Sequence, residues 1–111
     1  MPVFQGTYFS QEFTIVDQNE AAVDISTWEF EADFRERTDG DELLNITTGG
    51  GGFTVIDGAS GRLAMTLTPA QTATLPTGRL VFDVLRTDDL NGDIWLFGGK
   101  VTVKQPVTRD D

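Results

Sequence analysis

The chain has 111 residues, 18 acidic against 8 basic, for a formal charge of −10, and contains neither histidine nor cysteine. Its length accommodates one domain, and 39% apolar with 23% charged residues is a globular composition. The missing types exclude a disulfide framework, a thiolate nucleophile, a Cys-based zinc site and an imidazole base, while the negative surplus argues against a phosphate backbone as partner.

Taken in chain order, Met1 to Gly6 lacks the basic region and apolar run of a signal peptide and reads as a short arm (1–6). No stretch approaches the roughly 20 apolar residues of a membrane span, so the expectation is a protein made and used without crossing a membrane. Phe9 to Val16 reads as a strand, and Asp17-Gln18-Asn19-Glu20 as a turn. Trp28 to Arg35 alternates strictly. Trp28, Phe30, Ala32 and Phe34 are expected on a core face, with Glu29, Glu31, Asp33 and Arg35 on the opposite one. A slip of one residue would bury three carboxylates, so the pairing register is strongly specified.

Asp39-Gly40-Asp41 is a turn former, and Leu43 to Thr47 a short strand. Gly49-Gly50-Gly51-Gly52 reads as a flexible hairpin loop before a weaker strand, Phe53 to Ile56. It is no P-loop, because the required Lys and Ser or Thr are missing and a strand follows. Asp57-Gly58 turns the chain into Arg62 to Leu67, whose Leu63, Met65 and Leu67 point inward. Gly58-Ala59-Ser60-Gly61 fails the spacing of a nucleophile elbow. Thr68-Pro69-Ala70-Gln71 joins a capping Thr, a Pro at the first helical position and a Gln three residues after the cap. That predicts one short helix over Thr68 to Leu75.

Leu80 to Leu85 is apolar on both faces except at Asp83, as befits a central strand. Asn91-Gly92 is the strongest hairpin signal. Ile94 to Val103 closes the set, with Trp95, Phe97, Val101 and Val103 expected on one side. Gly98-Gly99 points to a bulge or a close backbone approach. About seven strands is the count of a small sandwich.

Two acidic clusters invite a chemical reading. Asp88-Asp89-Leu90-Asn91-Gly92-Asp93 resembles a calcium loop, but aligning Gly92 with the loop glycine puts Thr87 at the first ligand position and Gly98 at the closing one. The carboxylates of Glu29, Glu31 and Asp33 lie about 7 Å apart along a strand, a spacing a glycosidase could use, yet an outward sheet face is not a cleft. Trp95 is the better of the two tryptophans for a carbohydrate platform, with a core position favoured for both. The negative surplus itself is local. Residues 1–61 hold 12 acids and only Arg35 and Arg37, whereas residues 62–111 balance at 6 and 6. It serves either solubility or docking on a basic partner.

The order of segments carries a resemblance. "VDISTWEFEADFRER" (Val23 to Arg37) stands where relatives have a Val-Asp-Leu-Thr-Gly-Tyr-like turn before an alternating strand. "GRLAMTLTPAQTATLPTGRLVFDVLRTD" (Gly61 to Asp88) and "GGKVTVKQPVTR" (Gly98 to Arg109) follow. Over roughly Phe9 to Arg109 the chain resembles the small virion structural proteins of tailed bacteriophages, similar to the N-terminal domain of phage upper baseplate proteins. The opening "FQGTYFSQEFTI" departs from the commonest first strand of such relatives.

The resemblance implies an all-β protein, a single immunoglobulin-like β-sandwich spanning residues 1–111, with no enzymatic activity, cofactor or metal. It implies a building block of the virion, assembled in the host cytoplasm and docked on other virion proteins of the tail or baseplate. The alternative is a capsid decoration (cement) protein clamping the major capsid protein; copy number per particle separates the two. A homo-oligomer within the particle is expected, with neither nucleic acid nor membrane as partner. The expected interface comprises Glu29, Glu31, Asp33, Asp39, Asp41 and Glu42. Pro2, Val3 and Phe4 join it from the first arm, and Pro106, Val107 and Arg109 from the second (105–111).

Overall fold

Alternating apolar residues give each strand one face to hide, and two sheets hide them against each other. The computed structural model describes residues 1–106. Its strands are β1 (Pro2–Phe4), β2 (Phe9–Thr14), β3 (Phe30–Arg35), β4 (Glu42–Thr47), β5 (Phe53–Asp57), β6 (Arg62–Leu67), β7 (Gly78–Arg86) and β8 (Ile94–Lys104). A single 3-10 turn covers Gly58–Ser60, and one short helix, α1, covers Pro69–Ala73. The strands form a five-stranded sheet, β1-β8-β7-β3-β4, and a three-stranded sheet, β2-β6-β5. This is an all-β, sandwich-like fold.

Between the sheets lies one core. Phe30, Ala32 and Phe34 of β3 meet Leu63, Met65 and Leu67 of β6, with Leu80, Phe82 and Val84 of β7 and Val101 and Val103 of β8, all buried. Aromatic rings link the two layers: Phe30 lies 5.6 Å from Phe53, and Phe13 4.7 Å from Phe97. The inward assignments on β3 and β6 agree with the alternation. Asp83 is the single acid on β7, which sits at the centre of its sheet between β8 and β3.

Several details differ from the sequence expectation. Pro2–Phe4 is not a free arm but an edge strand, paired in parallel with β8 through Val3 opposite Val103. Val3 is only 1% exposed and belongs to the core, so it is withdrawn from the interface set. Trp28 precedes β3 rather than extending it. The Trp28 N–H donates to the Ile25 carbonyl in a turn, leaving the indole half-buried with the Arg86 guanidinium 4.1 Å above it. The four glycines after β4 make no hairpin, because β4 and β5 lie in different sheets; they carry the chain from one layer to the other. Gly52 is the tight point there, since a Cβ would meet Ile46 Cβ at 2.8 Å.

The largest difference concerns β8. Val84 pairs with Phe97, but Leu85 pairs with Trp95, leaving Leu96 as an extra residue. This bulge shifts the alternation by one, so Phe97 stays inward while Trp95 turns to the outer face, 60% exposed. The glycine pair sits just beyond the bulge and serves close approach instead. A Cβ at Gly99 would lie 2.7 Å from the Phe82 ring.

The helix follows its sequence signature at the start, with Thr68 as cap and Pro69 first, and ends two residues earlier than expected, at Ala73. The Thr68 hydroxyl accepts from the Gln71 N–H while the Gln71 side chain accepts from the Thr68 N–H. Thr72, the buried polar residue of the core region, ties α1 to the chain before β2. Its hydroxyl donates to the Thr7 carbonyl at 2.8 Å and accepts from the Thr7 N–H at 3.1 Å. Thr72→Val keeps the shape but takes the donor from the Thr7 carbonyl and leaves the Thr7 N–H only its bond to the Phe4 carbonyl at 3.2 Å. It is expected to cost about 1–3 kcal/mol in denaturant unfolding, while Thr74→Val on the exposed side stays within about 0.5 kcal/mol.

Candidate interaction surface

The outward positions of the five-stranded sheet are set by the same registers that fill the core. On β3 they are Glu31, Asp33 and Arg35; opposite them stand Thr47, Asn45 and Glu42 of β4, and Leu85, Asp83 and Val81 of β7. Trp95, Gly98 and Lys100 continue the face onto β8. A central row therefore runs Asn45–Asp33–Asp83–Gly98, at about 4.8 Å between strands.

Donors hold Glu31, Asp33 and Asp83 on this face. The Asn45 amide donates to Glu31 Oε2 at 2.6 Å and to Asp33 Oδ1 at 2.5 Å. Arg35 sits 3.4 Å from Asp33 Oδ2 and donates to the Gly40 carbonyl at 2.9 Å. The Trp95 indole N–H donates to Asp83 Oδ1 at 2.9 Å. Asp33 and Asp83 stand directly opposite each other on neighbouring strands, an unfavourable pairing of like charges that these donors offset.

The crowding shows in Glu42. Hydrogen bonding to Asp33 raises its pKa above the usual carboxylate range, with loss of solvation next and the charges of Asp33 and Glu31 adding to it; Arg35 works against them. Glu42 therefore takes up its proton earlier than an ordinary glutamate as pH falls. Carboxyl titration by NMR should place its midpoint above that of an ordinary glutamate, and Asp33→Asn should bring it back down.

At one end of β3 a clamp holds the β7–β8 loop. Arg86 Nε donates to Asp88 Oδ1 at 2.9 Å, the Glu29 N–H donates to the same oxygen at 3.1 Å, and the Thr87 N–H donates to the Glu29 carbonyl at 3.0 Å. The Arg86 ion pair and the Glu29 N–H hold the Asp88 pKa below the usual carboxylate range. That contribution to stability is present above the ordinary aspartate range and is lost as pH falls through the depressed value. Asp89 accepts from the Asn91 N–H, an Asx turn, with Gly92 at φ 114° completing the bend. Within the calcium-like segment, Asp88 is thus taken up by Arg86 and the Glu29 N–H, and Asp89 by the loop's own backbone. Among the described residues no three acidic side chains stand where they could share a metal ion.

The expected interface residues are only partly gathered. Glu31, Asp33 and Glu42 form one patch. Glu29 lies exposed at the clamp, off the strand itself. Asp39 pairs with Arg37 at 3.3 Å on the exposed β3–β4 connection, and Asp41 lines a shallow hollow of about 210 Å³ with Glu36, Arg37 and Leu43. Pro2 and Phe4 are exposed on β1, at the far edge of the sheet, three strands and about 14 Å from β3. Pro106 is half-buried, and Val107 and Arg109 lie outside the described residues.

The residues missing from the expected set are Asp83, Asn45 and Trp95. Asp83 carried a signal, as the single polar interruption of an apolar strand. Trp95 stood out only as the better of two tryptophans for an exposed platform, because its alternation with Phe97 pointed into the core. Comparison with known protein families and with curated proteins finds no match to this chain.

Proposed function

We propose that this chain is a non-enzymatic structural protein of a tailed-phage virion. It docks to neighbouring tail or baseplate proteins through the outer face of its five-stranded sheet. The observation that carries the reading is the gathering of Glu31, Asp33, Glu42 and Asp83 on one sheet face. Such a face is built to meet a basic surface, where complementary charge sets encounter rate and register more than raw affinity. The segment order of the sequence supports the virion assignment. The strand order fits the immunoglobulin-like sandwich that the resemblance implies: β2-β6-β5 opposite β1-β8-β7-β3-β4 reads B-E-D opposite G-F-C with β1 and β4 added at its two edges.

The test is incorporation into particles. Neutralising Glu29, Glu31 and Asp33 together (E29Q, E31Q, D33N) should lower the amount recovered with purified virions about tenfold while the variant still unfolds cooperatively. Unchanged incorporation would reduce the charge to solubility and overturn the docking role. Absence of the wild-type chain from purified particles would overturn the virion assignment itself.

A further inference from the structure

We propose that the notch formed by Trp95, Asp83 and Gly98 is the anchor point of this face, and that it takes an arginine side chain from the basic partner. The inference rests on the docking role above and names its recognition element. Four observations converge on it. The β8 bulge turns Trp95 out of the core to 60% exposure, where simple alternation would have hidden it. The indole does not swing freely, because its N–H is fixed to Asp83 Oδ1 at 2.9 Å. Gly98 beneath it has no side chain, and a Cβ there would lie 3.6 Å from the ring and 2.8 Å from Asp83 Oδ1, so any larger residue would crowd the notch. Beside it a hollow of about 260 Å³ opens over Val81, Asp83, Gly98 and Lys100.

The chemistry selects a guanidinium. A flat, weakly hydrated cation stacks on an indole face and at the same time forks onto a carboxylate, here the paired Asp83 and Asp33. Asp33 already has Arg35 and the Asn45 amide, whereas Asp83 opposite it accepts from the indole, so a guanidinium docked at Asp83 further offsets the like-charge pairing. Lys100, which also lines the hollow, favours a single inserted side chain over a dense cationic surface at that point. Trp is also the residue type that most often dominates the energy of a protein interface. A rigid ring costs little entropy on binding.

The experiment is calorimetric titration of the full chain at low salt with hexa-arginine, hexalysine and cellohexaose as probes. The wild type should bind hexa-arginine more tightly than hexalysine. Trp95→Ala should weaken hexa-arginine binding about tenfold and abolish the preference, with Asp83→Asn weakening it several-fold. The E29Q, E31Q variant, which spares the Asp33 and Asp83 pair, should weaken both peptides alike. If Trp95→Ala binds both peptides as the wild type does, while the acidic variant loses them, the anchor is overturned and the docking face stands. If the wild type binds neither peptide, both fall. Binding of cellohexaose alone, lost in Trp95→Ala, would overturn the arginine site in favour of a glycan. Unfolding curves for each variant confirm that a loss is not misfolding.

Discussion

Phe34→Ala should lower the stability of this domain by about 3–5 kcal/mol, out of the roughly 5–15 kcal/mol that a domain of this size holds. Phe34 has no exposed surface and stacks on Phe82 at 5.7 Å with 24° between the rings. Its position on β3, flanked by β4 and β7 and facing the second sheet, leaves no side from which the core could collapse into the vacated volume. Deleting the ring removes its burial and leaves a cavity, and the two costs add. Denaturant unfolding with an unchanged m value should show the loss as a lowered midpoint. Phe13, half-buried on the edge strand β2, is the control, and its alanine variant should cost clearly less. A loss below about 1 kcal/mol at Phe34 would mean that the two sheets do not pack as described.

The core was legible because it rests on period-two alternation alone. Phe30, Ala32 and Phe34, and likewise Leu63, Met65 and Leu67, lie where any strand of that pattern would put them. The helix was legible because Thr68, Pro69 and Gln71 form a complete capping signal within four residues. Strand identity was less secure where a segment is short. Pro2–Phe4 begins with proline, which reads as an arm, and only parallel pairing with β8 makes it a strand. The glycine run looked like a hairpin because local sequence records flexibility but not which sheet the next strand joins.

Trp95 is the instructive case. A bulge is a backbone decision taken between two strands, and here the signal for it, Gly98-Gly99, lies two residues beyond the place where it occurs. One extra residue moved the aromatic from the expected core to the surface, and with it the centre of the candidate site. The acids of β3 were legible as an outward face. That Asp83 of β7 and Asn45 of β4 complete that face required the register of three strands, which alternation within any one of them does not contain.

Gly61→Ala should be nearly as damaging as the loss of a core ring, at about 2–4 kcal/mol, though no apolar contact is removed. Gly61 closes the turn into β6 at φ 73°, a left-handed conformation that costs an L-residue energy by itself. Its N–H donates to the Gly58 carbonyl, and its own carbonyl accepts from the Ile15 N–H at 2.8 Å, so the backbone cannot move aside without breaking the tie to the end of β2. A Cβ would also strike the Ile15 carbonyl oxygen and stand 2.9 Å from that of Val23. Gly51→Ala separates the two causes. Gly51 has φ 86° but nothing within 4 Å of a Cβ, so its substitution pays the conformational strain alone, about 1 kcal/mol. Denaturant unfolding of both variants should therefore show Gly61→Ala losing at least twice as much as Gly51→Ala. Equal losses would mean that the Ile15 and Val23 segment is not held against the β6 turn, and that this end of the three-stranded sheet is looser than its hydrogen bonds indicate.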